Sequence, residues 1–150
     1  MFSQTVEYAL RAVVVLADHP DEPRTVHQIA EACQVPPDYL GKVMQALGRA
    51  GLVSAQRGKH GGFTLRADPS VLSILDVVNA VDPIRRIRQC PLGIAAHGRK
   101  LCPLHRRLDA AMAAVESALG ASTLAELLEE PEPMKPLCGG MTRHAALKTL

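Results

Sequence analysis

The reactive chemistry of this 150-residue chain rests on its cysteines and the imidazoles near them. Cys90 and Cys102 bracket the stretch CPLGIAAHGRKLC, with His97 between them and His105 just beyond, in CPLH. Cys33 ends the segment IAEAC, with His27 upstream, and Cys138 stands near the C-terminus. Each thiol has one of three fates: an inert buried group, a reactive thiol or a metal ligand. The positive charges of Arg85, Arg86, Arg88, Arg99 and Lys100 surround Cys90 and Cys102 in sequence and would favour the thiolate, the form that binds metals. Structural disulfides are not expected, because the chain reads as cytoplasmic. Its longest apolar run, Ala12 to Ala17, is too short to span a bilayer, and its N-terminus has no signal-peptide pattern, so no membrane role is expected.

A second constellation is the stretch VSAQRGKHGGFTLR, Val53 to Arg66. Two alternating runs flank Gly58, Gly61 and Gly62, and Arg57, Lys59 and His60 lie between the runs. Such a basic tip belongs either to an ordinary hairpin or to a finger laid against a phosphate backbone or in a minor groove. The net charge is only +2, but the charge is sorted. From Pro83 to Arg107 the chain carries bases and no acid; from Leu108 to Met134 it carries acids and no base. Local basic clusters in a near-neutral chain are an electrostatic footprint for nucleic acid, as against merely solvated faces.

The elements that must position these groups can be read from periodicity and caps. Apolar content of 47% supports a core, and with only 3% aromatics that core is aliphatic. Val6, Leu10, Val13 and Val14 predict a helix from Ser3 to Ala17. DHPDEPR reads as a loop. Thr25 and Gln28 form a capping-box pattern for a helix over Val26 to Cys33. Pro36 and Pro37 suit the start of a further helix, whose apolar face is Leu40, Val43, Met44 and Leu47 and whose left-handed stop is Gly51. Its other side presents Pro37, Asp38, Tyr39, Lys42, Gln45 and Arg49. Two short helices joined this way are a helix-turn-helix or an ordinary helical pair. Strands expected at Leu52 to Gln56 and Phe63 to Arg66 favour the first reading, because a basic hairpin directly after a recognition helix makes a winged helix.

Ser73 caps a predicted helix through Val81, ended by Asp82-Pro83. Pro83 to Cys102 reads as an irregular basic loop containing Gly93 and Gly98. A long helix follows from Pro103 to Leu119, with Leu104, Leu108, Met112, Val115 and Leu119 in a narrow stripe. The stripe is either core or a helix-to-helix dimer interface; a small winged domain offers little core to cover, which favours the dimer. Thr123 and Glu126 form another capping box, for a helix to about Glu129. The expected fold is therefore mainly α with a small β-wing: a winged helix-turn-helix plus a long dimerisation helix. The expected divisions are a DNA-binding domain at 1–82, a cysteine loop at 83–102, the dimerisation helix and short C-terminal helix at 103–130, and a flexible tail at 131–150.

The segments SQTVEYALRAVVVLA, TVHQIAEACQVPPDYLGKVMQALGRAGLVSAQRGKHGGFTLR, SILDVVNAVD and CPLHRRL resemble the Rrf-two family of bacterial transcription regulators, which includes IscR-like, NsrR-like and RsrR-like proteins. The resemblance runs from about Phe2 to Leu128, and its wing, followed by SILDVVNAV, is the most specific part. It implies a homodimer of winged helices, with a long crossing dimerisation helix, on a palindromic double-stranded operator; the wing reading itself adds expected DNA contacts from the recognition helix and from Arg57, Lys59, His60, Gly61 and Gly62. Many members hold an iron–sulfur cluster through three cysteines before the long helix. Here Cys90 and Cys102 match the outer two, the middle one is missing, and His97 falls roughly in its place. The pattern is closest to the redox-sensing RsrR-like branch. That branch implies a [2Fe–2S] cluster with further ligands at the positions of Glu7 and Cys33, where Cys33 stands in place of the branch's histidine; His97, His105 and His27 are other candidates, and [4Fe–4S] is the alternative cluster. Histidine can replace cysteine at some cluster irons.

Three functions follow as expectations. The first is a transcription regulator gated by the cluster through redox state, nitric oxide or iron supply. The second is a cluster-free regulator switched by a Cys90–Cys102 disulfide. The third is an enzyme using the Cys/His loop as a zinc site. The third lacks a strand-borne nucleophile, a phosphate loop and paired carboxylates, so no enzyme and no small-molecule substrate are expected.

Overall fold

A computed structural model describes residues 2–97, 100–131 and 134–136. Helix α1, Gln4–Ala17, starts where the Ser3 hydroxyl accepts the Val6 N–H. Every residue from Ala12 to Ala17 is buried, so the second half of α1 is covered on all sides and forms the axis of the core. Helix α2, Val26–Cys33, opens on the expected Thr25/Gln28 capping box and stops at Gln34 in the left-handed conformation. Helix α3, Pro37–Arg49, begins with proline at its first turn and buries Leu40, Val43, Met44 and Leu47, as its pattern predicts. Gly51, at φ 76°, then turns the chain into the wing.

The wing pairs β1, Val53–Gln56, with β2, Gly62–Leu65, antiparallel, in the register Val53 opposite Leu65 and Ala55 opposite Phe63. The strands expected from Leu52 and to Arg66 are each one residue shorter at the base, although the Arg66 N–H still reaches the Leu52 carbonyl at 2.9 Å. One contact departs from the sequence reading. Arg24, expected in a plain loop, exchanges both backbone hydrogen bonds with Phe63, at 3.0 and 2.7 Å. The wing is thus tied at its root to the entry of α2. Gly62 permits that approach, since a Cβ there would lie 2.7 Å from the Arg24 carbonyl group.

Helix α4, Ile74–Val81, carries a capping box between Ser73 and Asp76 and packs Val77 and Val78 inward against α1 and α3. Helix α5, Pro103–Ala121, follows the loop and has no buried residue. Helix α6, Leu124–Glu129, is short but returns to the core: Leu124 is 2% exposed, and its N–H donates to the Leu72 carbonyl at 2.8 Å. The Ile74 N–H reaches the Ser122 carbonyl at 3.0 Å, so the two chain segments lie side by side. The core is the expected aliphatic one, led by Leu16, Ile29, Leu40, Met44, Leu47 and Leu124. Each such side chain contributes about 1.5–3 kcal/mol by leaving water. The tail from 137 onward, and with it Cys138, lies outside the described residues, as do Gly98 and Arg99.

Candidate nucleic-acid interface and thiol loop

The outward face of α3 matches the sequence expectation residue by residue: Pro37, Asp38, Tyr39, Lys42, Gln45 and Arg49 are all exposed. The apolar face holds α3 against α1, α2 and α4, which leaves this polar row on the surface. Tyr39 has a second role. Its hydroxyl and the Thr5 hydroxyl are 2.6 Å apart, and its ring meets the Tyr8 ring edge-on, with centroids 5.4 Å apart. It therefore braces the start of α3 on α1.

At the wing tip, Arg57, Lys59 and His60 are exposed. Gly58, at φ 110°, turns the chain. Gly61 is needed for space: a Cβ there would stand 2.4 Å from the Gln56 carbonyl oxygen. The α3 row and the tip adjoin in sequence, joined by β1. A helix row and a flanking basic tip can read base edges and hold phosphates respectively.

The thiols fall into two environments. Cys33 is 1% exposed within the α1–α2–α3 core, and burial pushes its thiol up to about 12, partly opposed by the Arg11 charge. Arg11 donates to the Cys33 carbonyl at 3.1 Å and pairs with Glu7 at 2.9 Å, so one guanidinium bridges the two residues. The Glu7 carboxylate is committed to that pair, and the Cys33 side chain points into the core. Cys90 and Cys102 are half-buried, each beside an imidazole. Cys90 Sγ is 3.9 Å from His97 Nδ1, and Cys102 Sγ is 3.3 Å from His105 Nδ1. Among the described residues no three His, Cys, Asp or Glu side chains gather at metal-binding distance, so one chain presents two separate Cys/His pairs. His27 is exposed on α2.

Of the basic residues expected to favour the loop thiolates, Arg86 is committed elsewhere. Arg86 turns to α5, donating through Nε and Nη2 to the two Asp109 oxygens at 2.7 Å each, and through Nη1 to Glu116 at 3.0 Å. The Arg86 hydrogen bonds hold the Asp109 carboxyl below the usual carboxylate range, against an opposing effect of burial. Sequence reading missed this clasp; its one visible trace is the basic stretch directly preceding the acidic one. The apolar stripe of α5 is open: Leu104 is 63% and Leu108 46% exposed. Leu108, Met112 and Val115 line a groove of 370 Å³ with Phe2, Val6 and Val78.

The family model described as an iron-dependent transcriptional regulator, Rrf2, matches residues 2–130. The chain belongs to the Rrf2 family. It is accordingly a DNA-binding transcriptional regulator and not an enzyme. Among solved structures it is similar to CymR (YrzC), the global cysteine regulator of B. subtilis, at 26% identity and a TM-score of 0.69, over 85% of this chain and 95% of that one. It is similar to the oxidised form of Staphylococcus aureus CymR at 25% identity and a TM-score of 0.68, over 88% and 98%. The fold is also that of T. potens IscR, 20% identical, TM-score 0.68, over 100% and 91%. No helix among the described residues of this Rrf2-family chain is long and apolar enough to cross a membrane.

Proposed function

We propose that this Rrf2-family regulator acts in the cytoplasm as a homodimer on a palindromic operator, with its affinity set by a [2Fe–2S] cluster at the thiol loop. The observation that carries this reading is the pairing of each loop thiol with an imidazole, on a loop that runs straight into a helix whose Leu104 and Leu108 stay exposed in its own chain. Sulfur and imidazole nitrogen are the donors iron–sulfur clusters take. Cys90 and Cys102 would hold it, with His97 and His105 as the nearest nitrogen donors; Glu7 and Cys33 would join from the DNA-binding half only once Arg11 released the carboxylate and the core exposed the thiol. When bound, the cluster supplies a charge that changes with redox state.

The chain's own residues do the rest. Leu104, Leu108, Met112, Val115 and Leu119 pair the two copies of α5, covering a stripe whose first two residues are exposed and whose last three are half-buried in a single chain. Pairing sets the separation of the two recognition helices, which must match half-sites one helical turn apart, about 34–36 Å. Lys42, Arg57, Lys59 and His60 hold phosphates, and Gln45 and Arg49 address base edges. A misfit of ~1.4 kcal/mol between the two α3 helices and the operator changes affinity about tenfold, so a small shift in the loop is a sufficient signal.

The test is iron and acid-labile sulfide per chain in protein purified without oxygen, with operator affinity measured before and after oxidation. Two irons per chain and a redox-dependent affinity are expected. Cys90→Ala or Cys102→Ala should abolish the iron; Cys33→Ala decides whether the buried thiol takes part. Iron-free protein would overturn the cluster reading. A reversible Cys90–Cys102 disulfide is then the second reading, favoured by the similarity to a CymR solved in an oxidised form and by the half-exposed state of both thiols.

A further inference from the structure

Arg86 stands at the point where the chain enters the thiol loop, four residues before Cys90. Its three charge-assisted hydrogen bonds to Asp109 and Glu116 are joined by a fourth: the Ile87 N–H donates to Asp109 Oδ1 at 2.9 Å. All three side chains are half-buried, at 23%, 18% and 27% exposure for Arg86, Asp109 and Glu116. Asp109 and Glu116 are two turns apart on one face of α5, and that helix starts at the far end of the same loop, where Cys102 is its cap. On the other side, the Ile84 N–H donates to the Asn79 side chain of α4 at 3.1 Å, and α4 packs on α3. The chain between Asn79 and Ile87 is thus held at both ends. It bridges the helix that braces the recognition helix to the helix that carries the loop.

We propose that Arg86 is a positioning residue, whose clasp on Asp109 and Glu116 fixes the thiol loop to α5 and links it mechanically to α4. This rests on reading the loop as the sensor. With the clasp closed, Cys90 and Cys102 are both referred to one helix, one through Ile87 and the other through the helix start. A change in the state of the loop then has two outlets: distortion within the loop itself, or displacement of α5 that the clasp passes on to α4. The clasp blocks slack on the α4 side and directs the change into the second outlet. A bidentate fork needs guanidinium geometry, which lysine lacks, so the role belongs to arginine in particular.

The experiment compares the full-length wild type with Arg86→Gln, Asp109→Asn, Glu116→Gln and Arg86→Lys. Site-resolved maleimide labelling, read by mass spectrometry on reduced, metal-free protein, reports the loop, and Cys33 is the internal control for an intact core. We expect Cys90 labelling to rise about threefold or more in Arg86→Gln and Asp109→Asn, as local opening becomes easier, with a smaller rise in Glu116→Gln and Arg86→Lys and no change at Cys33. Unchanged Cys90 rates would overturn the positioning role. If Cys33 opens in a variant, the core has failed, and Glu116→Gln, which removes one bond only, gives the deciding rate. The second readout is the ratio of operator affinities between oxidised and reduced protein. It should fall toward one in Arg86→Gln and Asp109→Asn and recover in part with Arg86→Lys. A ratio held at the wild-type value while Cys90 labelling rises would overturn the link to α4. A wild-type ratio of one refutes the sensor reading, and the labelling rates still decide the positioning role.

Discussion

The two kinds of thiol differ because of where a side chain of one chemical type is placed. Cys33 closes α2 on the face that meets α1 and α3, so its thiol lies among aliphatic groups and ionises with difficulty. The folded value, raised to about 12 from 9.0, fixes the sign of the linkage. The contribution of the buried neutral thiol to stability is complete below 9.0 and is lost as pH rises toward 12. At pH near 8, maleimide should label Cys90 and Cys102 while Cys33 stays unlabelled until the protein unfolds. Cys33→Ser places a hydroxyl at a site that has offered only a weak donor, and should cost about 1–3 kcal/mol in chemical denaturation if the hydroxyl finds no partner. Labelling of Cys33 at the rate of the loop thiols would show that the α1–α2–α3 packing opens readily. Ligation of a cluster by Cys33 would require that opening, which is why its substitution is a sharp test of the donor set.

At the scale of elements, the wing depends on backbone space more than on its own side chains. Both strands are four residues long, and two-stranded ribbons are marginal alone, so the Arg24–Phe63 hydrogen bonds and the Gly61 approach to Gln56 carry weight. Gly61→Ala should disorder the tip, because the Gln56 carbonyl has nowhere to move without breaking the hairpin. DNA affinity should fall severalfold while the thermal midpoint of the core changes little. Arg57→Ala or Lys59→Ala leaves the tip folded and removes one phosphate contact, which should weaken binding to every sequence and reduce the salt slope by about one unit. Gln45→Ala should instead relax sequence preference at one base pair. Titrations over a salt series with operator and unrelated DNA separate these outcomes; wing variants with wild-type slopes would remove the wing from the interface.

For the molecule as a whole, α5 and α6 behave differently although they are joined by Ser122 and Thr123. Helix α6 is stitched to the core by Leu124, whereas α5 keeps Leu104 and Leu108 in water. Met112→Asp should therefore leave the core stable and yield monomers by light scattering, with operator binding lost. Leu124→Ala should cost about 2–5 kcal/mol in denaturation without dissociating the dimer. A wild-type chain that stays monomeric at micromolar concentration would sink the dimer.

Local rules were enough for the elements. Ser3, Thr25, Ser73 and Thr123 each announce a helix start by a side chain that bonds within three residues, and Leu40, Val43, Met44 and Leu47 mark one face by spacing alone. The exposed row on α3 followed, because placing the apolar face places the other. The tip cations of the wing were legible for the same reason: a glycine-rich turn between alternating runs has few conformations. What the sequence could not disclose are pairings between distant residues, whose energies depend on the assembled fold and leave no periodic trace. Arg86 meets Asp109 at a separation of 23 residues, Arg24 meets Phe63 across the wing root, and Leu124 seats beside Leu72. Burial of Cys33 was one of the fates its sequence allowed; its depth is produced by three helices at once, and only their packing turns a small polarisable side chain into a thiol that holds its proton.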